Sequence, residues 1–428
     1  MLWATFYRRG ASSLRTPLSH SKSRSLFQTF PSHFPRTARA QSGRLPGSHD
    51  TIPSFRTQVA KTEGVSSFGA RLEKPSVRKQ IELFLGISLL AYLGAAAVTE
   101  SETKYWKNKL VTVSSIFQLR PPSTDEMRRA RYMELGGSLK ETLEHLKDET
   151  STWPSTLRNV SIATYVRCAQ TYLDWTEGRR LCFHIACVNA AIFLAWKVPR
   201  LRSFMWKSFA HDPLSGRAYT LLTSVFSHKG FLHLIANNMA LCSFGSAATT
   251  YFYFQQRNNP DALPEATSMW HFLAFFLSAG MFSGLVSHVV STKILFPRLV
   301  ARASTQASIR ASPAASAIAE STNVATAASK GEILPSLGAS GAVYAAVTLS
   351  ALAFPDAEVR LLFPPFFPIP ITAGVGGIIL LDIVGVIRGW KLFDHYAHLG
   401  GAAFGALYYY YGTSWWNFQR RLEAHSWP

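Results

Sequence analysis

Gly338-Ala339-Ser340-Gly341 opens an apolar run, residues 338–354, that carries no charge until Asp356 and reads as a helix within a bilayer. The preceding Pro335-Ser336-Leu337-Gly338 is turn-prone, so Ser340 falls near a helix start, where backbone N–H groups lack intrahelical partners. Those donors, with the helix dipole, suit a developing oxyanion. A serine nucleophile needs a base, and Ala397-His398-Leu399-Gly400-Gly401 supplies a histidine in a second small-residue stretch, residues 395–412. An ionisable group at membrane depth costs about 2.5–3.5 kcal/mol on insertion scales, so its presence there points to function. The pair suggests nucleophilic hydrolysis inside a membrane.

The small residues around each group argue for their approach. Gly401 and Gly405 follow His398 at i+3 and i+7, and Gly341 and Ala345 follow Ser340 four residues apart from each other. Two such seams let helices come together until imidazole and hydroxyl are about 3 Å apart. The Gly-x-Ser-x-Gly elbow of soluble hydrolases is absent because position 342 is alanine, which disfavours a strand-turn-helix hydrolase.

Seven stretches are apolar enough to be read as passes: 83–98, 181–198, 231–254, 269–291, 338–354, 369–387 and 395–412. The first is separated from the other six by a polar region, 101–180, in which 127–147 reads as a soluble amphipathic helix. The expected organisation is one plus six: an extra helix in 76–100, a core over 181–412 and a tail over 413–428. Residues 201–226 mix aromatics with polar residues and suit the membrane interface, whereas 298–330 is an Ala/Ser/Thr-rich low-complexity loop. Of the 428 residues, 47% are hydrophobic and 16% charged, an integral-membrane profile with a polar front end.

That front end contains no Asp or Glu from Met1 to His49, while Arg8, Arg9, Arg15, Lys22, Arg24, Arg36, Arg39 and Arg44 alternate with Ser, Thr and aromatics. Such a leader reads as a disordered mitochondrial transit peptide over about residues 1–75, since it lacks the apolar core of a secretory signal. Targeting and topology therefore account for the net charge of +19. No basic helix, finger or RNA-binding signature is present, and no nucleic-acid partner is expected. The four cysteines, Cys168, Cys182, Cys187 and Cys242, lack metal spacing.

A third cluster, Ser227-His228-Lys229-Gly230-Phe231-Leu232-His233-Leu234-Ile235-Ala236-Asn237-Asn238, opens the third pass. His233 and Asn237 share one helix face and offer two donors to an oxyanion; capping and interhelical bonding are the structural alternatives. His228, His233, His395 and His398 could also suggest a metal, but there is no His-Glu-x-x-His and Asp394 is the only carboxylate adjacent to any of them in sequence, so neither metal nor cofactor is expected.

Taken together, the His228/His233/Asn237 cluster, Gly338 to Gly341 with Tyr344, and the run from Ala397 to Gly405 resemble the rhomboid intramembrane serine proteases. Gly389 to Gly401 and Leu277-Ser278-Ala279-Gly280 are most similar to the mitochondrial presenilin-associated type. The resemblance implies an all-α membrane protein with a six-helix core. It makes Ser340 the nucleophile and His398 the general base of a dyad that needs no acid, with Ser340's own N–H, His233 and Asn237 at the oxyanion. It stacks Tyr344 on His398 and makes residues 201–226 the first loop. It leaves Asp382 and Asp394 outside the dyad, and Asp382 reads as a helix-packing or topology residue. It implies a place in the mitochondrial inner membrane and membrane-anchored substrates, including the anchors of dynamin-like GTPases and other imported proteins.

A peptide bond in a membrane helix is shielded by its own hydrogen bonds, so substrates are expected to be single-pass proteins whose spans contain helix breakers such as Gly or Pro. Water would reach the site through a polar cavity lined by His228, His233 and Asn237. The competing class is a non-catalytic relative that binds or chaperones membrane clients, which would typically lack the nucleophile or base. A transporter would show paired charges or inverted repeats, which the core sequence lacks.

Overall fold

The computed structural model describes residues 75–113, 120–308, 333–360, 368–391 and 393–426. The expected transit peptide, up to residue 74, and most of the Ala/Ser-rich insert, residues 309–332, lie outside the described residues. The described chain is almost wholly helical.

The first helix, α1, runs Arg78–Val113 and contains the expected pass at 83–98. Its Tyr92, Ala95 and Ala96 are buried while Leu85, Leu89 and Leu90 face outward, so one stripe packs on protein and the other presents apolar surface to lipid. Past Val98 the helix turns polar but does not stop, because Glu100, Glu102 and Thr103 find partners on other elements.

The polar region 101–180 carries more structure than one helix. Helix α2, Thr124–Glu149, begins with a capping box in which the Ser123 side chain accepts from Glu126 N–H and the Glu126 carboxylate accepts from Ser123 N–H. It packs through Met127 against Trp106 and Ala266. Helix α3, Ser155–Asp174, has no buried residue, which is why no apolar stripe announced it.

The bundle proper comprises α4 (Glu177–Lys197), α6 (Phe231–Ala240) continuing through a π turn at Leu241–Gly245 into α7 (Ser246–Asn258), and α8 (Met269–Val290) continuing through Ser291–Leu295 into α9 (Phe296–Ser308). It is completed by α10 (Ser340–Ala353), α11 (Ile371–Arg388) and α12 (His395–Ser426); a short α5 (Arg202–Phe209) lies in the 201–226 segment. Helix α9 runs into the stretch expected to be loop from residue 298, since Arg298 to Ser308 offers no Pro or Gly to break it. Likewise α12 does not end in a tail at 413; nothing breaks it after Gly412, and Trp416 and Arg420 are buried against α1 and the 259–268 connection. Residues 369–370, expected to start the sixth pass, instead belong to a strand, Pro368–Pro370, paired antiparallel to Glu358–Arg360.

Among the described residues, four helices are long and apolar enough to cross a membrane, over Arg78–Val111, Glu177–Lys197, Met269–Arg302 and Ile371–Arg388, and Ser340–Ala353 is apolar but shorter. Helix α10 is the centre, with every residue from Gly341 to Ala351 buried except Tyr344, which is half-buried. It is flanked by α12 and α8, and its buried surface is small: Gly, Ala, Val, Ser and Thr.

Candidate active site

Ser340 is the first residue of α10, so its N–H is among those with no intrahelical acceptor. The turn before it is fixed from two sides. Ser336 exchanges both backbone hydrogen bonds with His211, each 2.9 Å, and Gly338 N–H donates to Ser224 carbonyl at 3.0 Å. Gly338 has φ +135°, a conformation that disfavours any side chain, and a Cβ there would sit 2.8 Å from His233 Cε1. The 201–226 segment, expected to lie along the interface, therefore also holds the serine's approach.

Ala339 N–H donates to Nε2 of His228 at 3.3 Å. An acceptor Nε2 requires the His228 proton on Nδ1. Burial, with His233 beside it, holds His228 below its ordinary range, at about 4, which keeps that imidazole neutral. His228 thus supports the loop and is not on the wall of the cleft, whereas His233 is.

His398 lies in the first turn of α12 with Nε2 3.0 Å from Ser340 Oγ. Its Nδ1 is 3.2 Å from Asp382 Oδ1 on α11. A carboxylate only accepts, so Nδ1 carries the proton and the Nε2 lone pair faces the serine hydroxyl. Tyr344, one turn after Ser340, stacks on the imidazole with centroids 4.3 Å apart and planes 13° apart. The approach depends on glycine: a Cβ on Gly401 would collide with the Gly341 carbonyl, one on Gly405 with the Ala345 carbonyl, and one on Gly341 with the Ser283 side chain.

Two carboxylates adjoin this pair and take different roles. Asp394 caps α12, accepting from Ala397 N–H at 3.0 Å and from Ser287 Oγ at 2.7 Å. Asp382, expected to serve packing or topology, is fully buried and faces both His398 and His395, the latter at 2.6 Å from Nδ1. Its signal in the sequence was its isolation, as the sole ionisable group between Ile371 and Ile387. Asn237 was expected to aim at the oxyanion together with His233; its Nδ2 donates to the His233 carbonyl at 2.8 Å and the residue is off the cleft wall. An i to i−4 carbonyl within its own helix is the nearest acceptor for an amide in that position.

A cleft of about 740 Å³ reaches Ser340, His233 and His398, bounded by Gly280 to Leu295 and by the 333–338 turn. Polar walls at Ser283, Ser287 and Asp394 give water a path to the serine. A hydroxyl held against the lone pair of an oriented imidazole, at the N-terminus of a buried helix and open to such a cleft, has the geometry that nucleophilic acyl transfer requires.

Residues 215–415 match the family described as the Rhomboid domain. The chain is 32% identical over 238 residues to the mouse (Mus musculus) presenilin-associated rhomboid-like protein, mitochondrial, covering 55% of this chain and 50% of that one. It is 31% identical over 238 residues to the human (Homo sapiens) protein of the same name, with 55% and 49% covered. Rhomboid protein 1, mitochondrial, of Saccharomyces cerevisiae is 26% identical over 259 residues, with 58% of each chain covered. No solved structure matches the chain significantly. The chain spans about half the length of the curated presenilin-associated relatives it matches. Residues 215–415 are thus similar to the Rhomboid domain, and the matched 238 residues are similar to presenilin-associated rhomboid-like proteins. With its apolar helices and mitochondrial relatives, the chain is a mitochondrial multi-pass membrane protein.

Proposed function

We propose that this chain is an intramembrane serine endopeptidase of the mitochondrial inner membrane, with Ser340 as nucleophile and His398 as general base. The observation that carries this reading is the 3.0 Å approach of His398 Nε2 to Ser340 Oγ. In the forward step the Ser340 proton passes to Nε2 as Oγ bonds to the substrate carbonyl carbon. The carbonyl oxygen, now anionic, accepts from Ser340 N–H and His233, while Asn237 braces the His233 carbonyl from behind the cleft wall. Collapse breaks the C–N bond, and His398 returns its proton to the leaving amine. Water from the cleft then repeats the sequence on the ester, releasing a carboxylate and the free serine.

The substrates are single-pass mitochondrial proteins whose spans unwind readily at Gly or Pro, since a regular membrane helix hides its carbonyls in hydrogen bonds. Anchors of dynamin-like GTPases and other imported proteins fit that description. In this reading α1 is one extra pass before six, and residues 1–75 are the import leader.

The test is the full chain in proteoliposomes with a single-span substrate bearing a Gly-Pro pair in its span. Wild type yields two fragments and Ser340→Ala yields none while still folding. Cleavage by Ser340→Ala at the wild-type rate overturns the dyad, and wild-type protein that binds the substrate without cutting it supports a client-binding role instead.

A further inference from the structure

Asp382 is shared by two imidazoles at one oxygen: His395 Nδ1 at 2.6 Å and His398 Nδ1 at 3.2 Å both address Oδ1. The arrangement is built by two matched spacings. His395 and His398 lie three apart on α12, and Asp382 and Gly385 lie three apart on α11, so each pair shares one helix face. Gly385 makes room for the His395 ring: a Cβ there would lie 2.5 Å from Nε2 and 2.8 Å from Cδ2. With that ring seated against Gly385, Nδ1 can only point at the carboxylate one turn away. His395 is 3% exposed, and its Nε2 has no hydrogen-bond partner among the described residues. Its one hydrogen bond is therefore spent on Asp382.

We propose that His395 is a positioning residue for proteolysis, acting through Asp382 on His398; this rests on the protease reading above. The shorter of the two contacts fixes the carboxylate's rotamer, and the carboxylate then holds His398 in the tautomer that leaves Nε2 facing Ser340. A carboxylate that is held by a neighbour pays less entropy to stay aligned with the catalytic imidazole through both proton transfers. The rings of Tyr344 and Phe393, with centroids 4.3 and 6.1 Å from that of His398, set the ring plane but leave the choice of protonated nitrogen open. His395 closes that choice without touching the reacting atoms.

Two amide replacements separate this role from packing. The Asn amide nitrogen falls near the position of Nδ1, and the Gln amide nitrogen near Nε2, so His395→Asn retains the donor to Asp382 while His395→Gln displaces it. Cleavage of the single-span substrate by the full chain in proteoliposomes is expected to show His395→Gln and His395→Leu losing about 10–100-fold in kcat with KM within about twofold of wild type, and His395→Asn regaining most of kcat. Equal kcat in the Asn and Gln variants, or wild-type kcat in folded His395→Leu, overturns the proposal. Should His395→Leu fail to fold, the Asn and Gln pair decides alone. Ser340→Ala run alongside keeps the two readings distinct: residual cleavage there overturns the protease dyad itself, whereas an inactive Ser340→Ala with a silent His395→Gln overturns only the role of His395.

Discussion

Gly401 lies against the backbone of Gly341 so closely that a β-carbon on Gly401 would overlap the Gly341 carbonyl. Gly405 stands in the same relation to Ala345 one turn on. These contacts set the separation of α10 and α12, and hence the distance from Ser340 to His398. A methyl at 401 must push the helices apart by more than a hydrogen bond between the two side chains tolerates. Gly401→Ala is expected to cost about 1–3 kcal/mol of stability through overpacking and to abolish cleavage in protein that still folds. Gly377→Ala on α11, where a Cβ meets nothing within 4 Å, is the control and keeps activity. Thermal unfolding in detergent with a parallel cleavage assay checks both.

Tyr344 lays its ring on His398 and turns its hydroxyl towards Asp382, and the stack is the contact made directly with the imidazole. Tyr344→Phe should keep kcat near wild type. Tyr344→Leu loses the aromatic face, worth about 0.5–1.5 kcal/mol, or about two- to tenfold in kcat. A Phe variant as impaired as Leu would show the hydroxyl to be the working part.

How much of this was legible in the chain depends on what carries the information. The serine, the base and their approach could be read because each sits in a short run of small residues, and small residues have one strong use between membrane helices. The turn before Ser340 was visible in Pro335 and Gly338. The environment of Asp382 was not, because which side chains a helix presents to which neighbour depends on the rotation and register of α11 against α12, and spacing within one helix does not encode that. His228 and Asn237 were read as lining a cavity from their positions on one segment; in the fold His228 holds the Ala339 amide and Asn237 turns back on its own helix. Helix α3 left no periodic mark because it buries no residue, and the extension of α12 past Gly412 depends on partners more than a hundred residues away.

His228 makes the serine loop sensitive to acid. The imidazole sits at about 4 in the folded protein, against 6.5 when exposed, because burial and the neighbouring His233 disfavour its charge. As pH falls from about 6.5 towards 4, the opened or unfolded form takes up the proton and the folded form does not, so stability is full above that window and declines through it. Protonated Nε2 also becomes a donor and can no longer accept from Ala339 N–H. His228→Gln, which offers a non-titrating acceptor, should flatten the decline in melting temperature between pH 6.5 and 4. His228→Leu leaves the Ala339 amide unsatisfied and costs about 1–3 kcal/mol at every pH.

Arg420 ties the far end of α12 to α1 and makes the extra helix part of the core. Its guanidinium is 1% exposed and meets Glu100 at 2.8 Å, the carbonyls of Leu263 and Pro264 at 2.9 and 3.0 Å, and Glu265 at 3.8 Å. Glu265 is equally buried and also accepts from Trp416 Nε1. Removing one member of such a group strands the others in a low-dielectric interior, so Arg420→Ala is expected to destabilise by about 3–5 kcal/mol. Arg420→Lys recovers only part of this, since a single ammonium cannot span two carboxylates and two carbonyls at once. The double variant Glu100→Gln/Arg420→Met removes both charges and should be less damaging than Arg420→Ala alone. Thermal unfolding of the three variants, with limited proteolysis of the connection between α1 and α2, measures the order. Arg420→Ala at wild-type stability would mean that α1 is held by its other contacts, the Tyr92 and Phe84 rings and the Glu102 and Thr103 hydrogen bonds, without help from Arg420.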